Sequence, residues 1–575
     1  MKSWSVLFFV LLLAGACRER PVAVEPGFIT VCNPVNLSYR FQLDSPSRRE
    51  AADPTVVAFR GMHFLFASKS GGYWCSDDLA GWNFIATDEI PVEEYAPTAI
   101  ALGDTLYFLA SSREKSTIYK SVDPLSGKWQ VAREELDMPV WDPAFFVDDD
   151  RRLYLYWGCS DRDPLYGVEL DRENNFSFIG TPVALIHANP AQYGWEVPGD
   201  YNTLRDTSPW IEGPWLNKRG GRYYLQYAGP GTEYKSYADA VYVGDQPLGP
   251  YTIARHNPFA YRPEGFAAGA GHGSTYTDTY GNYWHIGTIT ISQKHIFERR
   301  LGIFPVFFDE EGTMYADTRF GDYPRMVAQK RIGSLEEIFP GWMLLSYRKN
   351  VTVSSYVDTL PPVNMVDEDI RTYWSAAGGS DREWATLDLG ATCTVHALQI
   401  NFAEHNTQIF GRAEGLRHRY VVEYSEDGQN WKTAVDRSQN PRDNTHDYIQ
   451  LPQALGCRHL RIRNLEVPGG HFALSGFRVF GLGNGRNPVA VQQIDAVRNA
   501  DDRRSVQLQW ARSDGATGYN IGFGTRENRL YHSYMVYGDT TVTINSLDAG
   551  QEYFFTVESF NENGVTAGST VVNTP

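Results

Sequence analysis

The stretch Val140-Trp-Asp-Pro-Ala-Phe-Phe-Val147, followed by Leu153-Tyr-Leu-Tyr-Trp157, joins an acidic Asp-Pro motif to a short aromatic strand that starts 11 residues after Asp142. The same pairing of motif and aromatic strand occurs five times in the first 290 residues. The predicted strands are His63–Ala67, Leu106–Ala110, Leu153–Trp157, Tyr223–Tyr227 and Tyr283–Gly287. The motifs before them are Asp53-Pro54, Ala96-Pro97, Asp142-Pro143, Glu212-Gly213-Pro214 and Gly271-His272-Gly273.

The spacing between motif and strand is nearly constant across these five repeats. Counted from the first motif residue, or from His272 in the fifth, the offsets are 10, 10, 11, 11 and 11 residues. Equal offsets predict equivalent structural positions, so we expect Asp53, Asp142 and Glu212 to meet in space. Repeats of about 55 residues, each with a turn signal before its aromatic strand, suit four-stranded units. Five such units predict a five-bladed β-propeller with the motif residues around its axis.

Composition supports an all-β protein of several domains. The chain has 575 residues, too many for one hydrophobic core, and it contains 14% aromatic residues, 52 glycines and 31 prolines. This mixture favours short strands and tight turns. The net charge of −17 argues against nucleic acid as a partner, because phosphate binding needs a positive field.

The first 17 residues predict a signal peptide of the bacterial lipoprotein type. Lys2 is followed by an apolar run over residues 6–13 and by Ala-Gly-Ala before Cys17. We expect Cys17 to be lipidated, which would anchor the protein to a membrane in the periplasm or at the cell surface. Ordinary signal peptidase cleavage, with Cys17 incidental, is the alternative. Residues 18–27 then form a tether, and 28–345 form the propeller.

Alternating strands and loops continue after the propeller. Asn350–Ser355, Asp367–Trp374, Tyr420–Ser425 and the closing Phe477–Phe480 lie within residues 346–483. This region resembles a discoidin (coagulation factor V/VIII type C) domain, the β-sandwich fold shared by carbohydrate-binding module family 32. The resemblance implies a carbohydrate-binding domain.

A third domain is predicted at the C-terminus. Residues 484–490 are a linker, and 491–575 resemble a fibronectin type III β-sandwich. Trp510 follows an alternating strand, and the spacing from Leu547 to Tyr553 suits a tyrosine corner.

Three carboxylates converging on one axis suggest glycosidic bond hydrolysis. That reaction needs one protonated carboxyl group and one ionised carboxylate, and a third can tune and orient the acid. The five motifs resemble those of glycoside hydrolase family 43, whose fold is a five-bladed propeller. The resemblance implies Asp53 as general base, Asp142 as pKa modulator and orienting residue, and Glu212 as general acid. It also implies inversion at the anomeric carbon, with no cofactor for catalysis.

Other residues give weaker expectations. His272 at the fifth axial position predicts a substrate contact, with a core histidine as the alternative. Trp141 is predicted to be a pocket wall or a packing residue, and Trp195 to stack on a sugar face. Asp367 and Asp369 lie where the discoidin fold commonly holds a structural calcium ion, and a plain acidic turn is the alternative.

Together these features predict an exo-acting inverting glycosidase that removes terminal sugars from plant-type polysaccharide or oligosaccharide. An α-L-arabinofuranosidase is the leading interpretation because that activity is common in the resembled family. β-Xylosidase and exo-β-galactanase are alternatives, and so is a non-catalytic glycan-binding surface lipoprotein. The cysteines form no metal-binding motif, and Cys393 and Cys457 either pair or remain free thiols.

Overall fold

The computed structural model describes residues 28–327 and 329–574 and is all-β. Within these ranges there is no α-helix, only the short 3₁₀ turns Pro124–Ser126, Gly194–Glu196, Leu335–Glu337 and Pro362–Met365. In the part of the chain that the structure describes, no helix is long and apolar enough to cross a membrane. The predicted signal peptide, Cys17 and the tether lie outside the described residues.

The first domain contains five antiparallel sheets, numbered here in chain order, each with four consecutive or nearly consecutive strands. Sheet 1 contains Thr55–Phe59, Met62–Phe66, Gly72–Ser76 and Asn83–Ala86. Sheet 2 contains Thr98–Leu102, Thr105–Leu109, Ile118–Ser121 and Gln130–Arg133. Sheet 3 contains Ala144–Val147, Leu153–Trp157, Leu165–Asp171 and Ser177–Ile186. Sheet 4 contains Ile211–Arg219, Arg222–Gly229, Ala238–Gly244 and Tyr251–Ile253, with Cys159–Ser160 added at its edge. Sheet 5 contains Gly271–Thr277, Tyr283–Thr290, Arg299–Phe308 and Met314–Ala316.

The first strands of the five sheets contact one another in cyclic order, from sheet 1 to sheet 5 and back to sheet 1. Each predicted aromatic strand coincides with the second strand of its sheet to within a few residues, which confirms the strand predictions. These second strands are buried because hydrophobic layers cover both faces of each sheet. In sheet 3, for example, all residues of Leu153–Trp157 are buried. The fold is thus a β-propeller.

The propeller domain also contains two short strand pairs that lie outside the five sheets. Ile29–Val31 pairs with Arg325–Val327, and Arg40–Phe41 pairs with Arg49–Glu50.

The second domain is one eight-stranded antiparallel sheet system around its own core. Its strands are Met343–Leu344, Asn350–Val353, Trp374–Ser375, Trp384–Phe402, Arg419–Ser425, Lys432–Asp436, His446–Glu466 and Ala473–Leu482. Met343–Leu344, on the propeller side of the predicted boundary at 345, pairs with the last of these strands. Cys393 and Cys457 stand opposite each other in the ladder, and both are free thiols.

The third domain is a two-sheet sandwich. One sheet contains Ile494–Arg498, Val506–Trp510 and Thr541–Ile544. The other contains Gly518–Gly524, His532–Tyr537, Tyr553–Asn561, Gly564–Thr566 and Val572–Thr574. The Tyr553 hydroxyl accepts a hydrogen bond from the Asp548 amide at 3.1 Å, the upstream backbone contact that a tyrosine corner makes.

Candidate active site

The five motifs share an unusual backbone conformation. Asp53, Ala96, Asp142, Gly213 and His272 all have positive φ, between +43° and +57°. Such angles are uncommon for residues other than glycine and cluster at functional sites. The motifs are therefore structurally equivalent, as the sequence offsets predict.

This equivalence corrects one detail of the motif comparison, in which Glu212 is counted as the first residue of the fourth motif. In the fourth motif the equivalent residue is Gly213, so Glu212 stands one position earlier than Asp53 and Asp142. A register shift between Glu212 and Trp215 accommodates this difference. A glycine is required at 213 because a Cβ there would lie 2.3 Å from the ring of His272.

Side-chain hydroxyls at the ends of second strands position three motif residues. Thr288 Oγ1 of sheet 5 accepts the backbone N–H of Asp53 at 3.0 Å. Ser68 of sheet 1 does the same for Ala96, and Ser111 of sheet 2 for Asp142. Each of these three hydroxyls thus holds the motif of the next sheet around the axis, and the bond from sheet 5 to sheet 1 joins the last sheet to the first.

The three predicted carboxylates meet at the axis around His272. Its Nδ1 lies 3.3 Å from Asp53 Oδ1, 3.7 Å from Asp142 Oδ2 and 4.0 Å from Glu212 Oε1. Burial lowers the pKa of His272, but the carboxylates of Asp53, Asp142 and Glu212 outweigh this and raise it. The structure therefore places His272 in the site. Its predicted contact with substrate stays a prediction.

Asp53 is bound by a cation that the sequence analysis missed. Its Oδ1 accepts a hydrogen bond from Arg299 Nη1 at 3.0 Å, and its Oδ2 accepts one from the Ser68 hydroxyl at 2.5 Å. Arg299 also donates to Glu50 Oε1 at 2.6 Å and is buried. Burial lowers the pKa of Arg299, but Asp53 and Glu50 more than compensate and raise it. Asp53 thus has a permanently charged partner.

The second domain fixes the backbone that carries these partners. Arg49, adjacent to Glu50, is buried and bonds both oxygens of Asp443, at 2.6 and 2.9 Å. Its Nε also donates to Glu404 at 2.7 Å. Both acids belong to the second domain, so that domain holds the chain segment leading to Asp53.

Glu212 has neutral hydrogen-bond donors. The buried Tyr237 hydroxyl donates to its Oε1, and the Cys159 thiol donates to its Oε2 at 3.2 Å. Burial raises the pKa of Tyr237 well above its ordinary value, with Glu212 adding to the rise. Tyr237 is therefore a neutral donor at any working pH.

Asp142 contacts a hydroxyl and the Cys159 thiol rather than a permanent cation. Its Oδ1 accepts a hydrogen bond from Ser111 at 3.2 Å. Burial raises the pKa of Asp142 to about 7; His272 opposes this rise, and Glu212 and Asp53 add to it. The buried Asp239, whose pKa burial also raises to about 7, accepts the backbone N–H of His272 at 2.7 Å. Asp239 thereby positions the fifth motif.

The two predicted tryptophans differ. Trp141 is 46% exposed next to Asp142, an arrangement compatible with a pocket wall. Trp195 is only 2% exposed, stacks on Tyr193 at 4.7 Å and donates its indole N–H to Tyr227 at 3.2 Å. The prediction that Trp195 stacks on a sugar is therefore wrong, because both faces of its ring are buried in the protein.

The acidic loop of the second domain faces the propeller. Asp369 lies 3.4 Å from the ammonium group of Lys235, and Asp367 accepts hydrogen bonds from the Asp369 amide and the Thr372 hydroxyl. The predicted calcium site stays a prediction, and the Lys235 contact is an observation against it, because a second cation would be repelled.

Sequence reasoning missed Arg299, Glu50, Tyr237 and Cys159. Arg299 lies 246 residues from Asp53 and belongs to no motif, so no local pattern marks it. Glu50 stands just before the first motif, but nothing in the local sequence shows that it binds Arg299. The positioning hydroxyls had a signal, since Ser68, Ser111 and Thr288 each follow closely on an aromatic strand.

A propeller with three convergent acids at its axis is an arrangement that suits hydrolysis of O-glycosyl bonds. Residues 47–314 match the model described as Glycosyl hydrolases family 43, and residues 350–475 match the F5/8 type C domain. These two stretches are thus similar to family 43 glycosidases and to discoidin-like domains, in that order along the chain.

Individual relatives are distant. A β-xylosidase of Xylanibacter ruminicola is 26% identical over 152 residues, which cover 23% of this chain and 41% of that protein. The chain thus spans less than half the length of this curated relative. Among solved structures, a glycoside hydrolase is 19% identical with a TM-score of 0.45, covering 75% of this chain and 97% of that one. The xylan β-1,4-xylosidase of Bacillus halodurans is 14% identical with a TM-score of 0.41, covering 94% and 96%.

Proposed function

We propose that the protein is an exo-acting, inverting glycoside hydrolase that removes terminal sugars from plant-type polysaccharide. The observation that carries this proposal is the convergence of Asp53, Asp142 and Glu212 within 4.0 Å of one His272 nitrogen. In this reading the five sheets are the five blades of the propeller. The C-terminal sandwich is a fibronectin type III domain.

The reaction would run between the two sides of the site. Asp53, held by Arg299 and Ser68, accepts a proton from water as that water attacks the anomeric carbon. Glu212 gives its proton to the departing glycosidic oxygen on the opposite face. Asp142, close to both, orients the acid and adjusts its proton affinity through its own charge. The product has inverted anomeric configuration.

For the sugar we propose α-L-arabinofuranose, with β-xylose as the second candidate. The second candidate is favoured by the name of the relative from Xylanibacter ruminicola, a β-xylosidase. Exo-β-galactanase activity would follow from the same site chemistry. A purely glycan-binding role is disfavoured, because binding alone does not require three mutually repelling buried carboxylates.

Three further features belong to this proposal. Lipidation at Cys17 would anchor the protein to a bacterial membrane, in the periplasm or at the cell surface. The discoidin-like domain would bind the polysaccharide. A calcium ion at Asp367 and Asp369 would be structural, and catalysis itself would need no cofactor.

The test uses the full mature chain and a panel of aryl glycosides, including α-L-arabinofuranoside, β-D-xyloside and β-D-galactoside, together with the matching polysaccharides. We expect cleavage of one aryl glycoside and, by NMR, release of the inverted anomer first. Glu212→Ala is the matched control and should lose hydrolysis of polysaccharide. Failure to cleave any substrate, or full activity in Glu212→Ala, would contradict the proposal.

A further inference from the structure

Cys159 occupies a distinctive place beside the candidate acid. It follows Gly158 at the end of the Leu153–Trp157 strand and pairs with Glu212 in the ladder at the edge of sheet 4. Its sulfur lies 3.2 Å from Glu212 Oε2. The sulfur also lies within 4.8 Å of a carboxylate oxygen of Asp142. The other cysteines among the described residues are buried away from these carboxylates. Cys159 is thus the thiol that contacts the site.

The thiol remains protonated. Burial raises the pKa of Cys159 far above its ordinary value, and the neighbouring carboxylates of Asp142 and Glu212 raise it further. A thiolate would be repelled by both carboxylates, so nucleophilic chemistry at this sulfur is disfavoured. The S–H group is instead a hydrogen-bond donor to Glu212.

The strength of this donor matters for an acid. A hydrogen bond to a carboxylate stabilises its ionised form and so makes the group more willing to lose its proton. Tyr237 already donates to Oε1. A hydroxyl at position 159 would add a second strong donor, whereas a thiol is a weak one. A thiol can therefore direct Oε2 while stabilising the carboxylate less than a hydroxyl would.

We propose that Cys159 is a positioning residue of the proposed general acid, whose weak S–H hydrogen bond directs Glu212 toward the glycosidic oxygen and stabilises its carboxylate less than a hydroxyl would. The inference rests on the proposed glycosidase function and goes beyond it, because it assigns a residue that orients Glu212.

The experiment compares Cys159→Ser and Cys159→Ala in the full mature chain, with Cys393→Ala as a matched cysteine control in the second domain. The serine variant has the stronger donor. It should therefore shift the alkaline limb of the pH profile of kcat/KM to lower pH, by about half a pH unit or more. The alanine variant, without a donor, should move that limb up. It should also lower kcat about 3- to 10-fold on substrates with poor leaving groups.

A second readout separates positioning from packing. A dinitrophenyl glycoside needs little protonation of its leaving group, so Cys159→Ala should cleave it at nearly the wild-type rate, with KM unchanged. Thermal unfolding of each variant reports any loss of packing independently. Cys393→Ala should keep both the pH profile and the leaving-group dependence.

The two possible failures are distinguishable. If the wild type is active and both Cys159 variants retain its alkaline limb and its leaving-group dependence, the inference is overturned and the proposed function stands. If the wild type cleaves no glycoside, both are overturned.

Discussion

The two sides of the active site use the same scaffold and opposite chemistry. Asp53 and Glu212 both belong to motifs with a left-handed backbone, yet Asp53 contacts the Arg299 guanidinium and Glu212 contacts a phenol and a thiol. A carboxylate bound to a permanent cation suits a base, and one bound to neutral donors suits an acid. The comparison teaches that the surrounding side chains, rather than the motifs, separate the two roles.

The two sides also differ in how far their support extends. The base side continues from Arg299 to Glu50 and, through the adjacent Arg49, to Asp443 and Glu404 in the discoidin-like domain. The acid side is built within the propeller from sheets 3 and 4. The second domain therefore supports Asp53, the proposed base, whereas Glu212, the proposed acid, has only local contacts.

The largest expected effect is the loss of kcat when either Asp53 or Glu212 is replaced, and the two variants should differ in how this loss depends on the leaving group of the substrate. Asp53→Asn should lower kcat by about 10³-fold on every substrate, because water still has to be activated. Glu212→Gln should cause a comparable loss on polysaccharide and a much smaller one on a dinitrophenyl glycoside. The measurement is kcat across a series of aryl leaving groups. Equal leaving-group dependence in the two variants would break the comparison.

The next effect comes from removing the cation of the base side. Arg299→Met should lower kcat by about 10- to 100-fold and destabilise the fold by about 3 kcal/mol, because Glu50 and Asp53 lose their buried partner. Unpaired buried carboxylates bind protons more tightly when folded, so the loss of stability should grow as pH rises from 5 to 8. Urea unfolding at both pH values tests this. A pH-independent loss would argue that Arg299 acts by packing alone.

The sequence predicts the repeated architecture well and the chemical environment poorly. The constant offsets correctly located the second strand of each of the five sheets. They also predicted that Asp53, Asp142 and Glu212 meet, because the repeat fixes equivalent positions around one axis. The offsets could not show that Gly213, not Glu212, is the equivalent residue, since both the register shift at Glu212 and the approach of the His272 ring to Gly213 arise only in the folded propeller. Arg299 could not be found because only the closed cycle brings sheet 5 against sheet 1. Trp195 was misassigned because a tryptophan in a long connection looks the same in sequence whether it is exposed or buried.

A smaller effect tests how far support of the base extends. Asp443→Asn weakens the bidentate pair with Arg49 and should lower kcat several-fold, with KM nearly unchanged, because the backbone before Glu50 gains freedom. Asp436→Asn is the matched control, an exposed aspartate of the same domain whose carboxylate accepts the Ser438 amide. Steady-state kinetics of both variants make the measurement. If Asp443→Asn changes stability and leaves kcat intact, the second domain supports the fold but not the base.

The smallest expected effect on stability concerns Asp142, which lies between the two sides. Its pKa is raised by burial to about 7, whereas an unfolded aspartate titrates near pH 4, as is usual. The folded protein therefore holds a proton that the unfolded chain releases, and stability is lost as pH rises from about 4 to about 7. Asp142→Asn removes this cost and keeps an oxygen to accept the Ser111 bond. The variant should match the wild type near pH 4 and exceed its free energy of unfolding by about 1 to 3 kcal/mol at pH 8, while losing activity. Chemical unfolding at the two pH values measures the difference. An equal difference at both would mean that Asp142 is not held protonated by the fold.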